Sequence, residues 1–281
     1  MIIEGTLGTK SALVVEGGAM RGIFAAGVLD HFLDTEYRSF DFCIGVSAGS
    51  TNLAAWLANQ YGRSHRVITD YSCRKQFIDL PRFIRGGHWL DIDWLWDVTI
   101  DEIPIDGWEL EQQPIPLYVV TTNVNNGEPH YIQATEQNLN QLLKASCAVP
   151  LAYRHYPELD GYQMTDGGVA DSIPVIKAYE MGARDITVVL SRPKGYRKKA
   201  PRSAWLVKKL LHDKPNLAQA MMQRADSYNS AIDFIYNPPE DCQVKVITPP
   251  DNFEVGRVTT DSRKLQQGYE QGIQAAKQLA L

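Results

Sequence analysis

The chain has 281 residues, with 28 Lys and Arg against 33 Asp and Glu and a formal net charge of -5. A hydrophobic share of 44% and a charged share of 22% exclude wholesale disorder, and the acidic balance argues against a general nucleic-acid binder. The length suits one large domain, or one domain with an appendage, since single cores stop growing near ~250–300 residues. Cys43, Cys73, Cys147 and Cys242 are scattered, contain no CxxC pair and fit a reducing compartment. The opening MIIEGTLGTK lacks the pattern of a secretory signal. No stretch reaches the ~18 uninterrupted apolar residues of a membrane span. The expectation is a cytoplasmic protein that meets lipid, if at all, at the inner membrane face.

In chain order, SALVV at 11–15 reads as a buried strand that ends at the glycine-rich turn Glu16-Gly17-Gly18. Residues 20–34 place Ile23, Phe24, Val28, Phe32 and Leu33 on one face of an amphipathic helix. DFCIGV at 41–46 is a second buried strand, and Ser47 opens a helix through about Gln60. Strand, turn, helix, repeated, is the pattern of a parallel sheet covered by helices, so the fold class is α/β. Further strands are expected at 115–122, 130–133, 162–165, 186–190 and 244–247, with helices at 139–147 and 175–181. Residues 89–111 hold four of the six tryptophans and eight acids; residues 194–209 hold seven basic side chains and no acid. The basic run reads as a link to a helical tail, with 244–247 returning to the sheet.

Three motifs carry chemistry. Gly45-Val46-Ser47-Ala48-Gly49 matches G-x-S-x-G between a strand and a helix. There a tight turn lifts a serine hydroxyl out of the fold and a helix N-terminus faces it; a plain serine N-cap uses the same residue types. Gly17-Gly18-Ala19-Met20-Arg21-Gly22 lies at the equivalent strand-to-helix turn, where backbone N–H groups gather around a negative oxygen. It lacks G-x-G-x-x-G order and G-K-[ST], so an oxyanion hole suits it better than a nucleotide loop. Asp166-Gly167-Gly168 follows the strand ending at Thr165, although D-G is also a common turn. Among the histidines only His212 lies beyond Asp166, in a basic helical stretch unsuited to a Ser-Asp-His order. A Ser–Asp dyad is the alternative, workable if the carboxylate is held close to the hydroxyl and partly desolvated.

Taken together, the three motifs resemble the patatin-like phospholipase family. Supporting stretches are Ala145-Ser146-Cys147-Ala148-Val149-Pro150 and Val169-Ala170-Asp171-Ser172-Ile173-Pro174, and the likeness runs over about 11–192. It implies a three-layer α/β/α sandwich with a mainly parallel sheet, a catalytic body at 1–195 and a helical extension at 196–281 packed on it. It also implies a serine lipid acyl hydrolase with Ser47 as nucleophile and Asp166 as base. Gly17, Gly18 and Ala19 would form the oxyanion hole, with Arg21 bracing the loop and Gly22, Gly45, Gly49, Gly167 and Gly168 in support. No metal or cofactor is implied. Ala19 stands where the family usually has a third glycine, so a positive φ there would alter the loop.

Two other readings stay open: an acyltransferase or thioesterase on a related scaffold, and a non-catalytic acyl or lipid binder. The expected partner is a lipid or acyl ester, with peripheral contact to an anionic membrane surface through the basic run, although a solvated linker and helix face is the commoner use of such a charge run. Residues 89–111 read either as a lid or acyl-channel wall or as an irregular connection pinned by tryptophan.

Overall fold

The computed structural model describes residues 9–200 and 204–278. Readings that fall on Met1 to Gly8, and on Arg202 of the basic run, lie outside the described residues. β1 (Lys10–Val15) passes through a 3-10 turn at Ala19–Arg21 into α1 (Gly22–Asp34), and β2 (Phe42–Val46) passes through Ser47 into α2 (Ala48–Leu57). A helical connection follows: α3 (Arg63–Arg66), a π turn at Val67–Tyr71, α4 (Leu80–Ile84), α5 (Ile92–Glu102) and α6 (Gly107–Gln112). Then come β3 (Leu117–Asn123), β4 (Pro129–Gln133), α7 (Leu139–Cys147), β5 (Glu158–Leu159), β6 (Tyr162–Asp166), α8 (Val175–Glu180) and β7 (Ala183–Val189). The chain closes with α9 (Ala204–Leu210), α10 (Pro215–Tyr236), β8 (Gln243–Ile247) and α11 (Ser262–Lys277).

The sheet runs β5-β6-β3-β2-β1-β7-β8, with β4 also on β3. The pairs β1–β2, β1–β7, β2–β3 and β7–β8 are parallel. β3–β4, β3–β6 and β5–β6 are antiparallel. Side chains alternate across the central strands, as a sheet buried on both faces requires. Leu13, Val15 and Cys43 face a core shared with α1, α2 and α7. Ala12, Val14 and Ile44 face one shared with α8 and α10. The result is a mixed, mainly parallel sheet between helical layers, as expected.

One register sets up everything functional. β2 pairs with β3 only as far as Val46–Val120, and β6 takes over at the next residue, Thr121–Asp166. β4 occupies Tyr118 to Thr122 of β3 as well, so it must hold the other edge, and β2 and β6 meet end to end. The last residue of β6 therefore abuts the first residue after β2.

Helix α1 forms as expected but is not a half-exposed amphipathic helix. It is buried from Gly22 to Asp30, because α11 covers the face turned away from the sheet. There the backbones touch: a Cβ on Gly27 would lie 2.1 Å from the Tyr269 carbonyl oxygen, and one on Gly272 2.1 Å from that of Phe24. Asp30, buried at this seam, accepts from the Tyr269 hydroxyl at 2.7 Å and from Gly62 N–H. Burial pushes its carboxyl above the usual range. No helix among the described residues is long and apolar enough to cross a membrane.

The tryptophan-rich acidic segment is not an irregular connection. Two of its acids are N-caps: Asp91 accepts from Trp94 N–H at 3.1 Å and Asp106 from Glu109 N–H at 2.9 Å. Between them they start α5 and α6. A third, Asp93, ties α5 to α7 and its following loop through Lys144 and Tyr153.

Candidate active site

Ser47 sits between β2 and α2 with φ 53° and ψ -127°. A non-glycine residue in that region costs roughly 1–3 kcal/mol and persists only where its surroundings impose it. They do so here. Ser47 N–H donates to Ser146 Oγ at 2.8 Å, and the Ser146 hydroxyl donates to the Val120 carbonyl at 2.7 Å. On the other side, the Ser47 carbonyl accepts from the N–H and the hydroxyl of Ser50. The glycines on either side are there for space. A Cβ on Gly45 would lie 2.6 Å from Ser50 Cα, and one on Gly49 2.4 Å from the Val15 carbonyl oxygen.

The Gly17–Arg21 turn lies alongside at the end of β1. Among the described residues, neither Gly17 N–H nor Gly18 N–H donates to another group of the chain. Ala19 has φ 50°, so alanine takes the left-handed conformation usual for glycine and the departure at this position does not unmake the turn. Arg21 is buried. Its Nε and Nη2 donate to the Ser191 hydroxyl at 3.2 and 3.1 Å, and Nε also reaches the Ser191 carbonyl. Burial pushes this guanidinium down to about 10, and Glu16 opposes the shift. Glu16 accepts from Ser191 N–H at 2.6 Å. Ser191, just beyond β7, thus locks the turn from the far side. Gly22 packs against α2, with room for no Cβ beyond 2.9 Å from Ala48 Cβ.

Asp166 ends β6 where the sheet register puts it, next to the end of β2. Its N–H donates to the Ala148 carbonyl at 3.0 Å, and its Oδ1 accepts from Gly168 N–H at 2.7 Å. A Cβ on Gly167 would strike the Val120 carbonyl oxygen at 2.1 Å, so only glycine passes there. Ser47, Asp166, Gly17, Gly18 and Ala19 all border one cavity of about 50 Å³. Among the described residues, no hydrogen bond joins the Ser47 hydroxyl to the Asp166 carboxylate. Cys147 lies close by, its thiol pushed up by burial and then by the Asp166 charge.

A second, apolar cavity of about 110 Å³ opens from Ser47. Its wall includes Leu90, Ile92, Leu95, Trp96 and Ile105 of the tryptophan-rich segment, with Phe77 and Leu143 opposite. This is the lining of a site for an apolar ligand. No histidine borders either cavity, and His212 is exposed beyond α9.

Sequence reasoning named the residues at the centre of the site and missed those around it. Ser146 lies in one of the stretches that carry the family resemblance, with no motif of its own to mark its role. Ser191 carries no motif at all. Lys198, Arg224 and Arg257 border the smaller cavity but are far apart in the chain. Lys198 also corrects the reading of the basic run as a uniformly solvated face. Its ammonium turns inward, 4.1 Å from the Tyr228 ring and 3.3 Å from Ser172 Oγ, whereas Arg197 pairs with Asp233 at the surface.

Comparison with known proteins gives the family and the fold. A domain of unknown function, DUF6363, matches residues 214–279. The uncharacterized protein YjjU of Escherichia coli (strain K12) is 35% identical over 250 residues, covering 86% of this chain and 69% of that protein. VipD from Legionella pneumophila superposes with a TM-score of 0.50 at 14% identity, over 96% of this chain and 67% of that one, a likeness of fold. The patatin-like phospholipase family model matches residues 13–179, a span that contains the Gly17–Arg21 turn, Ser47 and Asp166. The chain belongs to the patatin-like phospholipase family.

Proposed function

We propose that the protein is a serine lipid acyl hydrolase that uses a Ser47–Asp166 dyad. The observation that carries this reading is the convergence on one cavity of a strained serine that lines it, a carboxylate and a turn with free N–H donors, with an apolar cavity opening from the same serine. The acyl chain lies in the larger cavity. Asp166 takes the Ser47 proton as Oγ attacks the ester carbonyl carbon. The carbonyl oxygen becomes an oxyanion held by the N–H groups of Gly17, Gly18 and Ala19. The C–O bond to the alcohol breaks, and the alcohol leaves with the proton from Asp166. Water then gives a proton to Asp166 and attacks the acyl-enzyme, releasing the fatty acid and returning the proton to Ser47. Rotation of the Ser47 side chain brings its hydroxyl onto Asp166 when substrate is bound, since catalytic hydrogen bonds often tighten only in the complex.

The lack of any histidine along either cavity favours this dyad over a histidine-assisted acyltransferase or thioesterase. Strain retained at Ser47 favours an enzyme over a passive acyl binder. The protein works at a lipid surface through α9, where Trp205, Leu206 and Leu210 are exposed beside Lys208 and Lys209. The test is hydrolysis of a short-chain nitrophenyl ester by purified wild type and variants. Ser47→Ala and Asp166→Ala lower kcat at least ~10³-fold, on the scale of losing a member of a nucleophile–base pair; His212→Ala retains activity. Full activity in Asp166→Ala rules out the dyad.

A further inference from the structure

The wall of the apolar cavity holds several polar side chains, and they fall into two groups. Most spend their hydrogen bonds on nearby backbone: Thr51 on the Ala48 carbonyl, Asn52 on that of Gly22, Ser72 on that of Val67 and Thr99 on that of Leu95. Groups satisfied in this way offer little to a ligand. Arg63 and Ser64, the first residues of α3, differ. Both line the cavity and both are buried, with 8% and 7% exposure.

Arg63 Nε donates to the Ile103 carbonyl at 2.9 Å, which fixes the guanidinium plane. Among the described residues, Nη1 and Nη2 donate to no group of the chain, and Arg63 joins no ion pair. Neither nitrogen is sealed inside the protein, so both meet the open space of the cavity that Arg63 lines. The Ser64 hydroxyl is equally unpartnered and unsealed. Glu102, beside Ile103 in the chain, is taken by the Tyr71 hydroxyl at 3.0 Å. Burial pushes the Arg63 guanidinium down to about 10, and only Tyr71 opposes the shift. The group therefore stays charged at neutral pH among mainly aliphatic and aromatic side chains. A buried charge without a counter-ion is costly, and a planar fork of free N–H donors matches a carboxylate, two oxygens at a time.

Ser47 lines the same cavity, and helix α1 measures the span between the two residues. Gly22 packs on Ala48, next to Ser47, while Asp30 takes the Gly62 N–H, next to Arg63. From Gly22 to Asp30 the helix rises about 12 Å at ~1.5 Å per residue. An acyl chain thus has room to run from one residue to the other.

We propose that Arg63, with Ser64, determines specificity for the acyl half of the substrate: the preferred acyl group ends in a carboxylate, and the protein cleaves half-esters of dicarboxylic acids. This rests on the Ser47–Asp166 hydrolase reading, which puts the acyl chain in this cavity. The ester carbonyl lies at Ser47 and the methylenes along the apolar wall. The terminal carboxylate takes two N–H bonds from Arg63 and one O–H bond from Ser64. Each turnover consumes one water and releases the alcohol and the dicarboxylic acid.

The experiment measures kcat/KM for pairs of ethyl esters of equal acyl length and takes the ratio within each pair: ethyl hydrogen adipate against ethyl hexanoate, the suberate against the octanoate, the sebacate against the decanoate. Wild type favours the half-ester at least ~10-fold at its best length, the scale of one charge-assisted contact. Arg63→Met lowers that ratio at least ~10-fold, and Arg63→Lys, which keeps the charge without the fork, gives an intermediate ratio. A merely structural lesion lowers both rates and leaves the ratio where it was. A wild-type preference for the methyl-terminated ester at every length, or a ratio unmoved by Arg63→Met, overturns the proposal. If Arg63→Met does not fold, Ser64→Ala reads the same ratio: a fall of ~3-fold or more supports the site, and no change overturns it. In parallel, calorimetric titration of the Ser47→Ala protein with ethyl hydrogen suberate reads the site without turnover. Saturable binding, lost when Arg63→Met is added, supports it. If wild type cleaves no ester of either kind, the hydrolase reading has failed and the titration alone decides: no Arg63-dependent binding overturns the site. If octanoate binds through Arg63 but the ester ratio does not move, the cavity takes free monocarboxylates and the acyl assignment is wrong.

Discussion

Substituting Gly272 by alanine separates two opposite expectations. In an exposed helix, glycine to alanine gains about 1 kcal/mol from backbone propensity. In this fold the added Cβ would sit 2.1 Å from the Phe24 carbonyl oxygen, 3.0 Å from the Phe24 carbonyl carbon and 3.1 Å from Val28 N. All three are backbone atoms of α1, so no rotamer change relieves the collision and the two helices must part. Overpacking of this kind costs about 1–3 kcal/mol, and here the upper end applies, because parting the helices also loosens the contacts of Leu265, Tyr269 and Ala276, all buried on α11. Net of propensity, Gly272→Ala loses about 2 kcal/mol. Equilibrium urea unfolding measures it, with exposed Gln274→Ala as the propensity control. A Gly272→Ala protein as stable as wild type, or more so, refutes the close crossing of α1 and α11.

Three further outcomes follow from named geometry. Ala19→Gly removes left-handed strain of about 1–2 kcal/mol and returns about 0.4–1 kcal/mol of unfolded-chain entropy, so thermal or urea unfolding shows a net gain of about 0.5–1 kcal/mol; a loss contradicts the φ of 50° at Ala19. Lys198 has its native value pushed down, from 10.5 to about 6, so between those values the unfolded chain holds a proton that the native chain has released, and stability rises with pH through the window. Lys198→Met, close in volume, therefore stabilises by about 1–3 kcal/mol near pH 6, and the gain fades toward pH 10; a gain that does not change with pH contradicts the buried ammonium. Co-sedimentation with vesicles containing anionic lipid falls for Trp205→Ala and for Lys208→Ala/Lys209→Ala, with each lost lysine weakening attachment by ~1 kcal/mol; binding that ignores both variants and lipid charge removes α9 as the contact.

Much of the site was legible because its chemistry is local. A strand ending at Val46, a serine and a helix starting at Ala48 are all written within a dozen residues, and so are the Gly17–Arg21 turn and the Asp166-Gly167-Gly168 turn. Helix α7 was legible to the residue, Leu139 to Cys147, since it has one apolar face and a clear stop. What brings Asp166 to Ser47 was not. It depends on β3 running past the end of β2 and taking β6 antiparallel in its place, a register between segments 120 residues apart. The helices α5 and α6 were hidden because their acids looked like composition when two of them are caps. The cations of the smaller cavity were hidden for a simpler reason: Lys198 sits in a basic run, and Arg224 and Arg257 stand alone on a helix and a loop. The glycines of α11, Gly268 and Gly272, are spaced for a close helix crossing, a signal that composition alone does not bring out.

In the proposed mechanism Ser47 is a nucleophile activated by Asp166. Intact-mass and peptide mass spectrometry after reaction with a fluorophosphonate test it most directly, because the probe needs no knowledge of the natural substrate. A Ser47–Asp166 pair gives one adduct per chain, mapped to Ser47, absent in Ser47→Ala and formed at least ~10²-fold more slowly in Asp166→Ala, as loss of a positioned base requires. An adduct on another residue, or undiminished labelling of Asp166→Ala, contradicts it.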